Sequence, residues 1–485
     1  MNYKMIGRFI ARILLIEGIF LLLPTLIALC FREFASVRGF LITHLITAAI
    51  TALLILVCRG APSTFNAKEG FVCVGVSWIM LSLLGALPFV ISGAIPSYID
   101  ALFEIVSGFT TTGSSILPSV ESLPKSILFW RSFSNWLGGM GVLVFLLAFT
   151  PSEGRNNGFT MHLLRAESPG PDVGKLVPRM RTTALLLYAM YLILTVLNFI
   201  FLLFGKMPFF DALCTALSSA GTGGFGIKND SLASFSPYIQ TVTTVFILLF
   251  GINFSCYYLL LIKNVKNVLR DEEIRLYLIL VFSSIALITW NLYGTTFDSL
   301  GETLRHAAFQ VASIITTTGF ASTDFDLWPS FSKAILLGLM IVGGCAGSTA
   351  GGLKCSRLLL LLKNLRRNIQ QLIHPNKVLV VRNNDNPVSE KVLVNTNAYL
   401  AAYTFIMVVS FLLVSLDGYS VETNISSVVS CFNNIGPGFA SVGPMCNFSG
   451  FSTLSKLVLI FDMLAGRLEI FPILVMCSAS TWRNR

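Results

Sequence analysis

Charge is what this sequence most clearly lacks. Only 12% of its 485 residues are Asp, Glu, Lys or Arg, while 54% are hydrophobic and the mean hydropathy is +0.76. Soluble globular proteins carry about 25% charged residues. With half that share, the chain has too little polar surface to cover a folded protein in water. The composition therefore excludes a soluble globular protein.

The chain is also poor in the residues that build metal, redox and catalytic sites. Its ten cysteines include no Cys-x-x-Cys pair, and its four histidines are isolated. This pattern favours small buried cysteines over disulfides or metal ligands. Inside an apolar segment, only Asp462, Arg467 and Glu469 stand close together. That set is too small to predict an enzyme, and we predict no catalytic residue and no covalent cofactor.

Nucleotide-binding and nucleic-acid-binding features are missing as well. The sequence has no Walker A motif, and no Gly-x-Gly-x-x-Gly that opens a soluble βαβ unit. In a soluble protein, the net charge of +10 would suggest nucleic acid. Here the basic residues lie mostly in loops or near the ends of apolar segments, so we predict no nucleic-acid partner and apply the positive-inside rule instead.

Long apolar segments are what the sequence has in abundance. About 20 apolar residues match a bilayer core of roughly 30 Å. We predict ten full crossings of a lipid bilayer, at residues 9–30, 39–58, 71–93, 127–149, 183–205, 239–262, 275–294, 332–362, 396–416 and 454–479. Segment 9–30 is longer than a signal-peptide core of about 7–15 residues, so we predict that it is retained.

The basic residues give the predicted orientation. One alternate set of loops and span ends holds 23 of the 34 Lys and Arg residues, and the other set holds 8. The excess predicts that both termini are cytoplasmic. Two polar, basic linkers, 151–181 and 364–390, belong to the same side.

Four apolar stretches are too short to cross: 100–117, 210–226, 305–320 and 422–439. Each falls in a predicted outer loop, so we predict that each dips into the membrane. Irregular backbone at that depth must be buried in protein or line a water-filled cavity. All four contain Ser followed six residues later by Gly, and Thr or Asn stands two residues before that Gly. The first two also share Asp-Ala-Leu, at Asp100 and Asp211, and we see no such acidic start in the third and fourth.

The predicted fold class is therefore an all-α integral membrane protein. An N-terminal helix pair is followed by four helix–pore-loop–helix repeats in a pseudo-fourfold arrangement. We predict about ten full spans and four re-entrant helices. The predicted boundaries are 1–70 for the helix pair and 71–182, 183–274, 275–394 and 395–485 for the repeats.

The repeated Thr-x-Gly predicts a cation filter. A dehydrated cation needs oxygen atoms in place of its water, and convergent backbone carbonyls supply them. Glycine allows the positive φ that aligns such carbonyls, and a short helix can direct its negative end at the ion. Close helix packing would explain one copy, but four in-phase copies favour a filter. The predicted cation-binding residues are Thr111, Thr112, Gly113, Thr222, Gly223, Gly224, Thr317, Thr318, Gly319, Asn434, Ile435 and Gly436.

Two further features interrupt the predicted crossings. Residues 343–352 contain five glycines, each costing about 1 kcal/mol inside a helix, so the crossing should break there. Arg467 lies deep in the last crossing, where a charge costs at least about 2.5–3.5 kcal/mol. The sequence leaves two roles open for it: an ion pair with Glu469 or Asp462, or a cation facing the pore. We predict Arg131 to be an interfacial anchor.

These motifs resemble the Trk/Ktr/HKT superfamily of potassium transporters, and most of all its TrkH branch. The matching runs are Thr110-Thr-Thr-Gly113, Gly221-Thr-Gly-Gly-Phe225, Thr316-Thr-Thr-Gly-Phe320, Asn433-Asn-Ile-Gly-Pro-Gly438, Gly138-Gly-Met-Gly141, the run from Gly343 to Lys354, and Gly466-Arg-Leu-Glu469. In that family a filter Gly in all four repeats accompanies potassium permeation, whereas Ser at the first filter position marks sodium-preferring relatives. Because Gly113 is present, the resemblance implies a potassium route.

The resemblance implies several further properties. Residues Gly343, Gly344, Cys345, Ala346, Gly347, Ser348, Thr349, Ala350, Gly351 and Gly352 would form an intramembrane gate loop next to Arg467. The expected protein is a homodimer in a bacterial inner membrane, regulated by a cytosolic TrkA-type nucleotide-binding subunit. Its expected function is gated, channel-like uptake of K⁺ and Rb⁺. The alternative is an alternating-access symporter that couples the cation to protons or sodium.

Overall fold

The computed structural model describes residues 1–60, 67–141 and 180–482, and this part of the chain is almost entirely helical. It begins with the N-terminal helices Tyr3–Phe20, Leu22–Cys30 and Phe34–Val57. Four repeats follow, and in each we name a leading, a short and a trailing helix by their order in the chain.

The leading helices are Ala67–Gly85 with its continuation Leu87–Ile91, Met180–Phe204, Glu272–Leu292 and Glu390–Val414. The short helices are Tyr98–Phe109, Phe209–Gly221, Leu300–Ile315 and Val421–Phe432. The trailing helices are Lys125–Met140, Pro237–Phe250 with Phe254–Leu261, Ser330–Val342 with Cys355–Ile373, and Thr453–Arg467 with Phe471–Cys477. The remaining elements are the helices Val265–Arg270 and Ala479–Trp482, the 3-10 turns Phe325–Leu327, Ser415–Asp417 and Ala440–Val442, and an antiparallel pair of strands, Arg382–Asn383 and Asn386–Pro387.

All four short helices carry an acidic residue in their first turn: Asp100, Asp211, Glu302 and Glu422. A carboxylate there satisfies the positive end of the helix dipole, typically by about 0.3–1 kcal/mol. The prediction that the third and fourth copies lack an acidic start was wrong. Glu302 stands 17 residues before its glycine, against 13 for Asp100, so a gapless alignment on the glycines misses it.

Three trailing helices are broken, and for two of them the sequence predicted a continuous crossing. The segment 239–262 bends by 90° between Phe250 and Phe254. The segment 454–479 breaks at 468–470, where Glu469 and Ile470 both have positive φ. The segment 332–362 is interrupted between Val342 and Cys355, which confirms the break predicted from the glycine run.

By length and hydropathy, six helices of the described residues could cross a membrane by themselves, or seven if the bent pair counts as one span. They are Tyr3–Cys30, Phe34–Val57, Lys68–Ile91, Thr182–Phe204, Glu272–Leu292 and Glu390–Asp417. The number of ten crossings stays a prediction, because the breaks divide the trailing segments into pieces that are short for a bilayer.

One predicted linker begins later than expected, and the other cannot be compared. Residues 364–373 continue the helix Cys355–Ile373 rather than forming a linker. Its apolar and basic residues are interleaved, and Leu360 and Asn364 are buried on one face, so the polar composition concealed an amphipathic helix. Linker 151–181 falls almost wholly outside the described residues.

The N-terminal helices are tied to the first repeat by a carboxylate. Glu33 accepts hydrogen bonds from the backbone N–H groups of Lys125 (2.7 Å) and Ser126 (3.0 Å), which open the trailing helix. The first N–H groups of a helix have no partner within it, so Glu33 acts as its cap from another part of the chain. Trp130, one turn further on, donates to the carbonyl of Gly85 at 3.1 Å.

Glycines let the trailing helices approach the carboxyl ends of the short helices. A Cβ atom at Gly138 would collide with the carbonyl oxygen of Phe109, and one at Gly466 with that of Phe432. Phe109 and Phe432 are the last residues of the first and fourth short helices. The equivalent contact in two repeats shows that the pseudo-symmetry extends to backbone packing.

This packing predicts opposite effects for two glycine-to-alanine changes. Gly466→Ala should destabilise the protein by about 1–3 kcal/mol, because the added methyl overpacks the contact with Phe432. Gly338→Ala is the matched control: it also lies within a trailing helix, its Cβ would meet nothing within 4 Å, and Ala gains up to about 1 kcal/mol of helix propensity. Thermal unfolding in detergent, followed by size-exclusion fluorescence, measures both. Equal melting temperatures for the two variants would contradict the packing argument.

Candidate functional site

The four short helices end in the same backbone turn. Thr111, Thr222, Thr317 and Asn434 follow the helices with left-handed φ values of 57°, 50°, 53° and 56°. The N–H of the next residue then bonds the carbonyl of the repeated serine: Thr112 to Ser107 (2.8 Å), Gly223 to Ser218 (2.9 Å), Thr318 to Ser313 (2.8 Å) and Ile435 to Ser430 (2.9 Å). This is a Schellman C-cap, and it accounts for the constant spacing of the motif.

Threonine is an unusual residue for this turn. A β-branched residue at positive φ is a steric outlier and costs of the order of 1–3 kcal/mol. Its use at Thr111, Thr222 and Thr317 indicates that the hydroxyl, rather than ease of turning, selects the residue. Sequence reasoning placed positive φ on the glycines alone and missed this second strained position.

The four segments after these turns close into a ring in sequence order. A Cβ atom on each glycine would come closer than 3.0 Å to a backbone oxygen of the next segment. The colliding pairs are Gly113 with Gly223, Gly224 with Thr318, Gly319 with Ile435, and Gly436 with Thr112. The same glycines have φ of 82°, 65°, 82° and 107°. Both the conformation and the close approach therefore require glycine.

Hydroxyl and amide groups line the junction between helix and ring. The Oγ1 atoms of Thr110 and Thr112 are 2.7 Å apart, as are those of Thr316 and Thr318. Asn434 joins the fourth segment to the first by donating from Nδ2 to Thr112 Oγ1 at 3.0 Å. Among the described atoms, Thr111 Oγ1 and Asn434 Oδ1 are buried without a hydrogen-bond partner. Such oxygens are costly unless something cationic or polar meets them.

The fourth segment departs from the symmetry of the ring. The carbonyl oxygen of Gly436 accepts from Ser430 Oγ at 2.6 Å and from Ser114 Oγ at 3.0 Å. Two hydroxyl donors reduce the capacity of this oxygen to bind an ion. Gly436 also has the largest φ of the four glycines.

The glycine-rich interruption of the third trailing helix lies directly against the ring. The N–H of Gly351 donates to Thr317 Oγ1 at 2.6 Å, and a Cβ atom at Gly351 would meet the carbonyl oxygen of Asn433 closer than 3.0 Å. On its other side, Cys345 donates its N–H to the Gly251 carbonyl at 3.0 Å. The loop thus connects the third and fourth segments with the bend in the second trailing helix.

The remaining loop residues follow this path. Gly343 and Gly352 approach each other so closely that neither tolerates a Cβ atom, and Phe254 donates its N–H to Gly347 at 3.0 Å. Glu273 Oε1 accepts from the N–H of Ala346 at 2.6 Å. The other predicted loop residues, Gly344, Ser348, Thr349 and Ala350, lie between these anchors.

Two cations hold the loop: Arg467, which is half-buried, and Lys354, which is buried. Arg467 donates from Nη1 to the carbonyl of Thr349 at 3.0 Å, and from Nη2 to the carbonyls of Gly139 (2.7 Å) and Gly138. Lys354 donates from Nζ to the carbonyl of Ala350. The guanidinium of Arg467 thus contacts the loop, as the resemblance implied. Glu469 instead pairs with Arg357, and Asp462 accepts from Ser410 at 2.7 Å.

The prediction for Arg131 was wrong. Its side chain is only 2% exposed, and Nε lies 2.8 Å from Oε1 of Glu104, which is fully buried on the short helix of repeat 1. The position of Arg131 near the start of a crossing suggested a lipid headgroup. Its partner is 27 positions away in the chain, so no local pattern reveals it.

The chain matches one family over nearly its whole length. Residues 37–483 match the sequence profile of the TrkH family, described as cation transport protein. The chain belongs to the TrkH family. The resemblance drawn from the motifs is therefore confirmed.

Individual members agree with this assignment. The chain is 36% identical over 489 residues to the Trk system potassium uptake protein TrkH of Salmonella typhimurium strain LT2, covering 100% of both sequences. It is 32% identical over 465 residues to the Trk system potassium uptake protein TrkG of Escherichia coli strain K12, covering 95% of each. The crystal structure of the potassium transporter TrkH from Vibrio parahaemolyticus superimposes with a TM-score of 0.89 at 31% identity, covering 100% of both chains.

These matches confirm the predicted fold class and the multi-pass membrane character of the chain. Its TrkH-family relatives are transporters rather than enzymes. The boundaries of the five predicted segments, and the roles of the ring and loop residues, stay predictions.

The contact between ring and loop gives a direct test. Thr317→Val keeps a β-branched residue at the same strained φ but removes the oxygen that accepts from Gly351. A buried donor left without a partner costs about 1–3 kcal/mol, so we expect faster amide exchange across residues 343–354 and a lower melting temperature. Thr317→Ser is the control and should retain wild-type protection. Unchanged exchange in Thr317→Val, measured by hydrogen–deuterium mass spectrometry, would argue that this bond does not hold the loop.

Proposed function

We propose that this TrkH-family chain is a potassium uptake protein in which K⁺, and Rb⁺ of similar size, pass along the axis of the four-segment ring. One observation carries the proposal: four segments repeat the same left-handed Thr or Asn and the same left-handed Gly, and they close on one another in order. A ring of this kind offers backbone carbonyls from four sides, which can replace the hydration shell of a cation.

Electrostatics support a cation over an anion. Each short helix ends at the ring and carries a partial negative charge of roughly half an elementary charge at that end. The buried oxygens of Thr111 and Asn434 add acceptors there. Potassium in particular is supported by the names of the relatives, which are potassium uptake proteins and a potassium transporter, and by the glycine in all four segments.

The loop 343–352 and Arg467 then act as the gate. The loop contacts the ring through Gly351, and Arg467 places a positive charge against the same loop at Thr349. A cation leaving the ring on this side meets backbone and a like charge. Opening requires these hydrogen bonds, and that of Lys354 to Ala350, to be exchanged for water.

The helix that follows the loop supports regulation by a partner subunit. The loop leads into the helix Cys355–Ile373, where Leu362, Leu365 and Leu372 are exposed together with the basic residue Arg366. A cytosolic nucleotide-binding subunit of the TrkA type that binds this helix would move the loop with it. The proposal includes a homodimer in a bacterial inner membrane with both termini in the cytoplasm, in keeping with the excess of basic residues on that side.

The ratio of K⁺ to Na⁺ permeability tests the assignment of Gly113 to the filter. Gly113→Ser should lower the permeability ratio of K⁺ to Na⁺ by about tenfold, equivalent to about 1.4 kcal/mol, because its side chain would displace the neighbouring carbonyl of Gly223. Gly93→Ser is the matched control: it lies in the same repeat at nearly the same φ, 78° against 82°, and has open space around it. Reversal potentials of purified protein in liposomes measure both. An unchanged ratio in folded Gly113→Ser would remove Gly113 from the filter.

The rate of K⁺ and Rb⁺ uptake tests the assignment of the loop as a gate. Deletion of residues within 345–351 should raise K⁺ and Rb⁺ uptake into liposomes without a partner subunit, because the obstruction is shortened. A folded deletion variant with wild-type flux would refute the gate assignment. Imposed pH and sodium gradients separate the mechanisms, since a passive channel follows the potassium gradient alone, whereas a coupled symporter is driven by the second ion.

A further inference from the structure

The buried ion pair of repeat 1 has no counterpart at the matching positions of repeats 3 and 4. Arg131 stands seven residues after the N-cap of its helix, and the same position is occupied by Leu336 and Leu459. Glu104 stands nine residues before the filter glycine, where Gln310 and Ser427 occur. Because the same packing is achieved there without charge, the fold itself does not require the pair.

Stability alone is a weak reason for such a pair. Desolvation of two charges offsets much of their attraction, and apolar replacement of a buried pair is often neutral or stabilising. A better reason is that the two charges hold neighbouring parts of the chain in one arrangement. The contacts of the two side chains show which parts these are.

Glu104 holds the outer end of the first segment. Its two carboxylate oxygens accept from Ser115 Oγ at 3.0 and 3.1 Å, and Oε2 also accepts from the N–H of Ile116 at 3.0 Å. Ser115 and Ile116 follow Gly113 by two and three residues. The carboxylate therefore fixes the chain just beyond the ring.

Arg131 reaches the outer end of the second segment. Nη1 donates to the carbonyl of Gly226 at 3.3 Å, and Cζ lies 4.2 Å from the ring centroid of Phe225. Phe225 and Gly226 follow Gly224 directly. The planar guanidinium can stack on an aromatic ring and donate in several directions at once, which an ammonium group cannot do.

The outer ends of the other two segments are held by neutral groups. Ser313 Oγ donates to the carbonyl of Phe320 at 2.6 Å in the third segment. Ser426 Oγ accepts from the N–H of Phe439 at 2.9 Å in the fourth. Among the described residues, the outer ends of segments 1 and 2 alone are joined by a charge pair in which both side chains are almost fully buried.

We propose that Glu104 and Arg131 are positioning residues that lock the outer ends of segments 1 and 2 at a fixed separation, and that this separation sets the discrimination of K⁺ from Na⁺. The inference rests on the proposed potassium function. Carbonyls that are free to close around a smaller ion lose the distinction between the two cations, and the pair opposes that movement between two of the four sides.

The test compares the double variant Glu104→Gln/Arg131→Leu with wild type. This variant copies the residues of repeat 3, Gln310 and Leu336, and leaves no unpaired buried charge. We expect it to fold and to lower the K⁺ to Na⁺ permeability ratio in liposomes by about tenfold, equivalent to about 1.4 kcal/mol of differential ion binding. A second readout, the rise in melting temperature of detergent-solubilised protein in K⁺ over that in Na⁺, should shrink in parallel.

Asp100→Asn is the matched control, because it removes one negative charge from the same short helix. Asp100 pairs with Lys456, 2.6 Å away on the trailing helix of repeat 4. Its permeability ratio should equal that of wild type, and a fall as large as in the double variant would assign the effect to the loss of any carboxylate from this helix and overturn the proposal.

Ser115→Ala decides the matter should the double variant fail to fold. It leaves the ion pair intact but removes the hydroxyl that donates to Glu104 and accepts from Arg131 Nη2 at 3.4 Å, and we expect a smaller fall in the same ratio. A wild-type ratio in a folded double variant, or in Ser115→Ala when that variant alone folds, would overturn the positioning role. Wild-type protein that shows no preference for K⁺ would instead reject the proposed function, and the inference with it.

Discussion

The left-handed turn at the end of each short helix is the constraint on which the rest of the site depends. A helix that stops inside a membrane leaves carbonyl groups that must find partners, because no water is guaranteed there. The Schellman bonds to Ser107, Ser218, Ser313 and Ser430 meet that need locally. They also turn the chain sharply into an extended segment. The bonds that end each helix therefore also direct its segment into the ring.

Closure of the ring imposes its own demands on the surrounding helices. The trailing helices must approach the short helices at backbone distance, which glycines at 138 and 466 allow. They must also stop at that depth, and in repeats 2, 3 and 4 they bend or break there. The freed backbone groups find other partners: the carbonyl of Gly251 accepts from the N–H of Cys345 in the loop 343–352, and those of Gly138 and Gly139 accept from Arg467.

Periodicity in the sequence was enough to predict the repeats, the four short helices and the glycines of the ring. These features repeat in the chain and leave a local pattern. The pairing of Arg131 with Glu104 could not be predicted, because it depends on two helices whose spacing is set only by folding. The bend at 251–253 was missed for a related reason: the flanking residues are uniformly apolar, and one Gly followed by Asn253 does not distinguish a bend from a continuous span.

The carboxylate of Glu33 bears on the order in which the protein is made. It caps a helix that begins 92 residues later in the chain, and a ribosome delivers the N-terminal helices to the membrane well before that helix exists. The first trailing helix therefore enters beside a partner that already presents an acceptor for its free N–H groups. From this contact we expect the first repeat to assemble against N-terminal helices that are already in the membrane.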